Sequence, residues 1–157
     1  MYEDYFGFDR TPFNNTPDSS FYFASDRHDE ALAQLLYTVE SKKGFAVLTG
    51  EVGAGKTTLC RRMMKSFDED TVTAVITNPR LNGIQLLYAI AREFGLEVDA
   101  ANRVEILEAI NVFLIECVAA DRNVVLVIDE AQNLPMRTME EVRLISNLET
   151  ETEKLIQ

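Results

Sequence analysis

The sequence predicts an α/β domain, a parallel sheet with helices on both faces. Three observations predict it. After an N-terminal helical segment, apolar runs and amphipathic runs follow in the order strand–helix–strand–helix–helix–strand–helix, and such alternation favours parallel strands covered by helices. The runs "GFAVLTG" (44–50) and "NVVLVIDE" (123–130) are apolar at successive positions, as in strands buried on both faces. The first of these runs passes through a glycine-rich turn directly into a helical segment.

The 157 residues suit one domain. Residues 1–27 read as an N-terminal arm, with Tyr2, Tyr5, Phe6, Phe8, Phe13, Phe21, Tyr22 and Phe23 broken up by Pro12 and Pro17. Regular structure is not expected there, and so many aromatic rings are expected to lie on something. Residues 28–157 read as the core. "HDEALAQLLYTVESKK" opens it as a helix, with Leu32, Leu35, Leu36 and Val39 at helical spacing and Asp26 or Asp29 as the cap. "GFAVLTG" is the first strand and "KTTLCRRMMKSF" the helix behind it. "TVTAVIT" (71–77) is β-branched and reads as the second strand, ended by Asn78-Pro79. "GIQLLYAIAREFG" places Leu86, Ile90 and Phe94 on one helical face, with Gly95 as its stop. "RVEILEAINVFLIECVAAD" does the same with Ile106, Ile110, Phe113 and Cys117. "NVVLVIDE" is the third strand, and Pro135 opens a last helix running to about Glu149.

Bulk properties exclude several classes. The longest clean apolar run, "VVLVI" at 124–128, is far short of a membrane span. The acidic, aromatic start is not a secretory leader. Cys60 and Cys117 stand apart in no metal spacing and read as buried thiols in a reducing cytosol. A net charge of −11 argues against a broad nucleic-acid surface.

Gly50, Glu51, Val52, Gly53, Ala54, Gly55, Lys56 and Thr57 match G-x-x-x-x-G-K-[ST] in full, between a predicted strand and a predicted helix. Glycines let the chain curl so that successive N–H groups converge on phosphate oxygens. The helix behind, which includes Thr58, presents its positive dipole end to the same anion. Lys56 reaches the β- and γ-phosphates, and Thr57 is a ligand for Mg²⁺. Asp129 falls at the end of the third strand, where open parallel sheets bind ligands, and is the second expected magnesium residue, holding the ion through water. Glu130 beside it is placed to polarise a water as general base. The Asp-Glu pair and the lack of an N-K-x-D guanine-reading sequence favour ATP over GTP.

The opening "MYEDYFGFDRTPFNNTPDSSFYF", the segment "HDEALAQLLYTVESKKGFAVLTGEVGAGKTTLCR", and "LVIDEAQNLP" and "RLISNLETE" together resemble the general secretion pathway protein A family, the ExeA-like AAA+ ATPases. The resemblance runs over essentially the whole chain, and the aromatic arm joined to "HDEAL" is its most specific part. It implies a P-loop NTPase of the additional-strand type, cytoplasmic, binding ATP and ADP with Mg²⁺. It implies Lys56 and Thr57 as the Walker A pair, Asp129 and Glu130 as the Walker B pair, and Gln132 as a candidate γ-phosphate sensor. His28 opens a helix in the family, where capping or hydrogen bonding is its expected role. The arm either passes near the adenine or covers the core. Homo-oligomers and a membrane partner of a type II secretion or pilus-like machine are also implied.

In the family the ATPase module continues with the sensor strand, an arginine finger and a helical lid, which these 157 residues do not contain. Lys154–Gln157 is therefore expected as the start of the sensor strand, with neighbouring strand edges left unpartnered and nucleotide bound without useful turnover. Two other readings share the motifs: a DNA-transposition-type AAA+ regulator, and a non-catalytic nucleotide-binding interaction module.

Overall fold

The computed structural model describes residues 2–9, 11, 24–77 and 80–157. Phe13, Phe21, Tyr22, Phe23, Pro12 and Pro17 of the arm, and the Asn78-Pro79 strand end, lie outside the described residues.

Helix α1 (Tyr2–Phe6) precedes α2 (Asp26–Glu40), α3 (Lys56–Lys65), β1 (Thr71–Ile76), α4 (Gly83–Glu93), α5 (Arg103–Ala119), β2 (Asn123–Ile128), a 3-10 turn (Ala131–Asn133) and α6 (Met136–Ser146). Strands β1 and β2 pair in parallel, Thr71 opposite Asn123 through Ile76 opposite Ile128. The α4–α5 connection between them is the long crossover that parallel strands require. The two-residue period of β2 sends alternate side chains to opposite faces. Val124 is buried, and Leu126 and Ile128 pack with it, among Ala74, Ile76, Leu86, Ile90, Ile106, Ile110 and Leu114. Val125, also buried, and Val127 face a cleft shared with Leu35 and Val39 of α2 and Cys60 and Met63 of α3. Helices α4 and α5 thus pack on one face of the sheet, and the other face looks into the cleft that α2 and α3 help to line.

Helix α4 shows how local chemistry fixes its limits. Asn82 accepts from the Gln85 amide while the Gln85 side chain accepts from the Asn82 amide, a reciprocal capping box. At the other end Gly95 stands at φ +76°, Gly95 N–H donates to Arg92 and Leu96 N–H to Ala91. That is the Schellman pattern, which favours glycine at this position. Nothing stands within 4 Å of a Cβ built on Gly95, so only backbone strain opposes a side chain there. Gly95→Ala is expected to lower unfolding free energy by about 1 kcal/mol, read as a shifted denaturant midpoint with an unchanged slope.

Helix α6 is tied on from two directions. The buried Thr138 hydroxyl donates to the Leu81 carbonyl at 3.0 Å. Arg103 at the start of α5 grips Glu141 with two guanidinium hydrogen bonds of 3.1 and 2.8 Å, and that contact raises the Arg103 pKa further.

Several expectations are corrected. Residues 44–50 form no strand: Phe45 is 54% and Val47 81% exposed. Apolar sequence alone does not make a strand, because a ladder needs a neighbour. The Gly44 amide donates instead to the Gln157 side chain, and the free edge of β2 is met by Gln157, through Gln157 N–H to Val124 and Leu126 N–H to Gln157. Those two bonds are those of a parallel bridge, with Leu155 and Ile156 buried beside it.

In the arm, Tyr2–Phe6 is helical although no regular structure was expected. A single turn suffices, closed by the Phe8 amide on the Glu3 carbonyl at 2.8 Å. The arm's described rings cover no core. Tyr5, Phe6 and Phe8 are exposed and meet one another, Tyr5 edge-on to Phe6 at 4.9 Å and Phe6 tilted against Phe8 at 6.0 Å.

Ser25, not Asp26 or Asp29, stands at the start of α2. In α5, Leu114 rather than Phe113 completes the buried face, and Phe113 stacks on Phe94 at 5.0 Å. Helix α6 stops at Ser146, short of Glu149. No helix among the described residues is long and apolar enough to cross a membrane.

Candidate nucleotide site

The loop 50–57 is built by two left-handed glycines. Gly53 and Gly55 take φ +80° and +79°, a region costly for residues with a Cβ. Gly55 is the residue from which α3 starts. The first turn of α3 therefore begins at Lys56, with Thr57 and Thr58 behind it, and its leading amides face out of the loop with no helical partners. Val52 is fully exposed at the loop's crest. Lys56 folds over the loop, its ammonium donating to the Gly50 and Glu51 carbonyls at 2.9 and 2.8 Å.

Strand β2 delivers the second motif. The Asp129 amide donates to the Ile76 carbonyl at 2.9 Å, one residue beyond the ladder, so the carboxylate projects at the carboxyl end of the sheet. The Thr57 hydroxyl donates to Asp129 Oδ2 at 2.9 Å. This one contact joins the glycine loop to the acidic pair across 72 positions of sequence. Lys56, Asp129, Glu130 and Gln132 also line one end of the same cleft, a cavity of about 320 Å³ whose remaining walls are mostly apolar.

Glu130 is left-handed, at φ 54°, uncommon for a residue other than glycine and frequent at functional sites. The Glu130 amide donates to Asp129 Oδ1 at 3.0 Å, and the Gln132 amide group donates to the Glu130 carboxylate. Cys60, one turn along α3 from Thr57, has its thiol pKa raised by burial and, secondarily, by the Asp129 charge. Among the described residues no group of three or more His, Cys, Asp or Glu forms a metal cluster.

The sequence-predicted residues therefore fall together. Glu51, Val52 and Ala54 form the loop, Gly50, Gly53 and Gly55 its turns, Lys56, Thr57 and Thr58 the helix start, and Asp129 and Glu130 the facing strand end. One neighbour was only partly legible. His28 was expected to cap or hydrogen-bond, and it does the second, but the partner is remote: its Nε2 lies 3.1 Å from the Ala54 carbonyl of the loop. A contact between positions 26 apart leaves no periodic trace in sequence.

Residues 39–157 match the family described as "AAA domain". The chain belongs to that family. Its AAA domain is similar to "General secretion pathway protein A" of Aeromonas hydrophila, 40% identical over 158 aligned residues that take in all of this chain and 29% of the relative. The resemblance read from the aromatic arm and the "DEAQ" segment is thereby borne out. The chain spans under a third of that relative's length. The AAA domain also resembles the solved Aeropyrum pernix ORC2 protein in its ADPNP–ADP complexes, with a TM-score of 0.54 at 17% identity, over 80% of this chain and 37% of that one. At that identity the likeness shows the fold alone, and the fold is that of a P-loop NTPase.

Proposed function

We propose that this AAA domain binds ATP with Mg²⁺ and hydrolyses it, in the service of a secretion or pilus-like assembly machine. The Thr57–Asp129 contact carries the reading, because it closes the glycine loop against the acidic strand end. The loop amides and the start of α3 form the phosphate seat, and Lys56 leaves its two carbonyls to meet the β- and γ-phosphates.

Thr57 Oγ1 and Asp129 Oδ2 are hard oxygen donors 2.9 Å apart. Adjacent ligands of an octahedral magnesium ion bound at about 2.1 Å stand about 3 Å apart, so the pair fits that ion and would hold it. When bound, the ion neutralises charge on the terminal phosphates. Glu130 is the general base that accepts the proton of the attacking water, a role typically worth about 10²–10⁴ in rate, and Gln132 fixes its carboxylate.

The secretion role is supported by the similarity to General secretion pathway protein A. With it go a homo-oligomeric working form and a membrane-bound partner. The site's residues Gly50 to Thr58, Asp129 and Glu130 are proposed on the geometry above.

Titration calorimetry tests the nucleotide reading. The chain is expected to bind ATP more tightly with magnesium than with a chelator. Asp129→Asn is expected to bind ATP still, with most of the magnesium increment gone. A folded chain with no affinity for magnesium–ATP overturns the reading.

A further inference from the structure

The contact between α2 and the glycine loop assigns a role to His28. Its Nε2 lies 3.1 Å from the Ala54 carbonyl and its Nδ1 2.6 Å from the Ser25 hydroxyl. A carbonyl only accepts, so Nε2 carries the proton and donates. In the neutral ring Nδ1 is then the acceptor, and the Ser25 hydroxyl donates to it. Ser25 thus fixes both the tautomer and the ring plane. Ser25, at the start of α2, makes no side-chain cap to the helix; its hydroxyl is turned to the imidazole instead.

The Ala54 carbonyl and the Gly55 amide belong to one planar trans peptide, in which C=O and N–H point in opposite directions. Holding the carbonyl toward α2 therefore turns the Gly55 N–H the other way, toward the seat in front of α3. That amide makes no hydrogen bond among the described residues. Packing points the same way. A Cβ built on Gly55 would stand 3.3 Å from His28 Nε2, so the ring lies close over a residue that takes φ +79° and leaves little room for a side chain there.

We infer that His28 is a positioning residue of the phosphate seat, orienting the Ala54–Gly55 peptide so that the Gly55 amide faces the anion. The inference rests on the nucleotide reading above. It makes α2, which carries the chain out of the N-terminal arm, a support of the loop.

A fluorescent ADP derivative with magnesium, titrated into the full chain and its variants, tests it. Melting temperatures are measured without nucleotide. His28→Phe removes the donor while keeping a ring, and is expected to weaken binding about tenfold to a hundredfold. His28→Gln places an amide nitrogen the same number of bonds from Cα as Nε2, and is expected to bind within about threefold of the parent. His28→Asn is too short to reach Ala54 and is expected to behave like the phenylalanine variant.

Recovery by Gln but not by Asn supports the inference even if the phenylalanine variant folds poorly. Equal affinities for Gln and Asn overturn it. So does binding by a folded His28→Phe variant within twofold of the parent. If the parent itself binds no nucleotide, the nucleotide reading falls and this inference with it.

Discussion

Lys56→Ala is expected to remain folded and to lose at least a hundredfold in affinity for ATP and ADP. The two consequences separate because the lysine works in an exposed place. Its ammonium bonds the Gly50 and Glu51 carbonyls, both on exposed residues, so water replaces it and little stability is lost. Against a polyphosphate nothing replaces it. A hydrogen bond to a charged group contributes about 1.5–3 kcal/mol, and the ammonium makes more than one while also supplying the cationic charge of the seat. Two such bonds exceed the 2.7 kcal/mol or so that a hundredfold change requires. Calorimetric titration reads the affinity, and a melting curve shows that the fold survives. Binding within threefold of the parent would mean that the phosphates go elsewhere.

The second large effect is on stability. Ile110→Ala is expected to cost about 2–5 kcal/mol, a large part of the roughly 5–15 kcal/mol typical of a domain. Ile110, on α5, is fully buried in the core cluster that holds Leu86, Ile90, Ile106 and Leu114. Truncation there leaves a cavity that these rigid neighbours fill only in part. The control is Ile115→Ala on the same helix. Ile115 is 50% exposed, and its truncation is expected to cost well under half as much. Denaturant midpoints at equal slope measure both. Equal losses would place the face of α5 wrongly.

That pair of isoleucines also shows what the sequence could and could not disclose. Helix α5 is apolar nearly all round, with Val104, Val112 and Ile115 exposed. Composition therefore announces a helix but blurs its inward face, and Phe113 was placed where Leu114 sits. Helix α4 carries polar punctuation at both ends, and its Gly95 stop and buried face were legible. The glycine loop was legible as a motif because phosphate chemistry asks for glycines and a lysine at fixed spacing, and the structure gives Gly53 and Gly55 the left-handed turns that spacing calls for. Asp129 was legible because a carboxylate ending an apolar strand is conspicuous. The segment 44–50 misled because strand formation is decided by what lies alongside, which no local pattern records. His28 is the same lesson in a side chain. Its position at a helix start is local, and its grip on Ala54 is not.

The unladdered stretch behind the glycine loop bears on how this molecule behaves in bulk. Main-chain groups open to water beside bare Phe45 and Val47 invite another copy to stack there, as sheet edges do. Mutual repulsion from eleven excess negative charges holds copies apart in dilute buffer. Salt shortens the reach of that repulsion to a few ångströms near 1 M, and acidification toward the isoelectric point of about 4.5 removes it. Brine and mild acid are therefore the conditions under which clouding should begin.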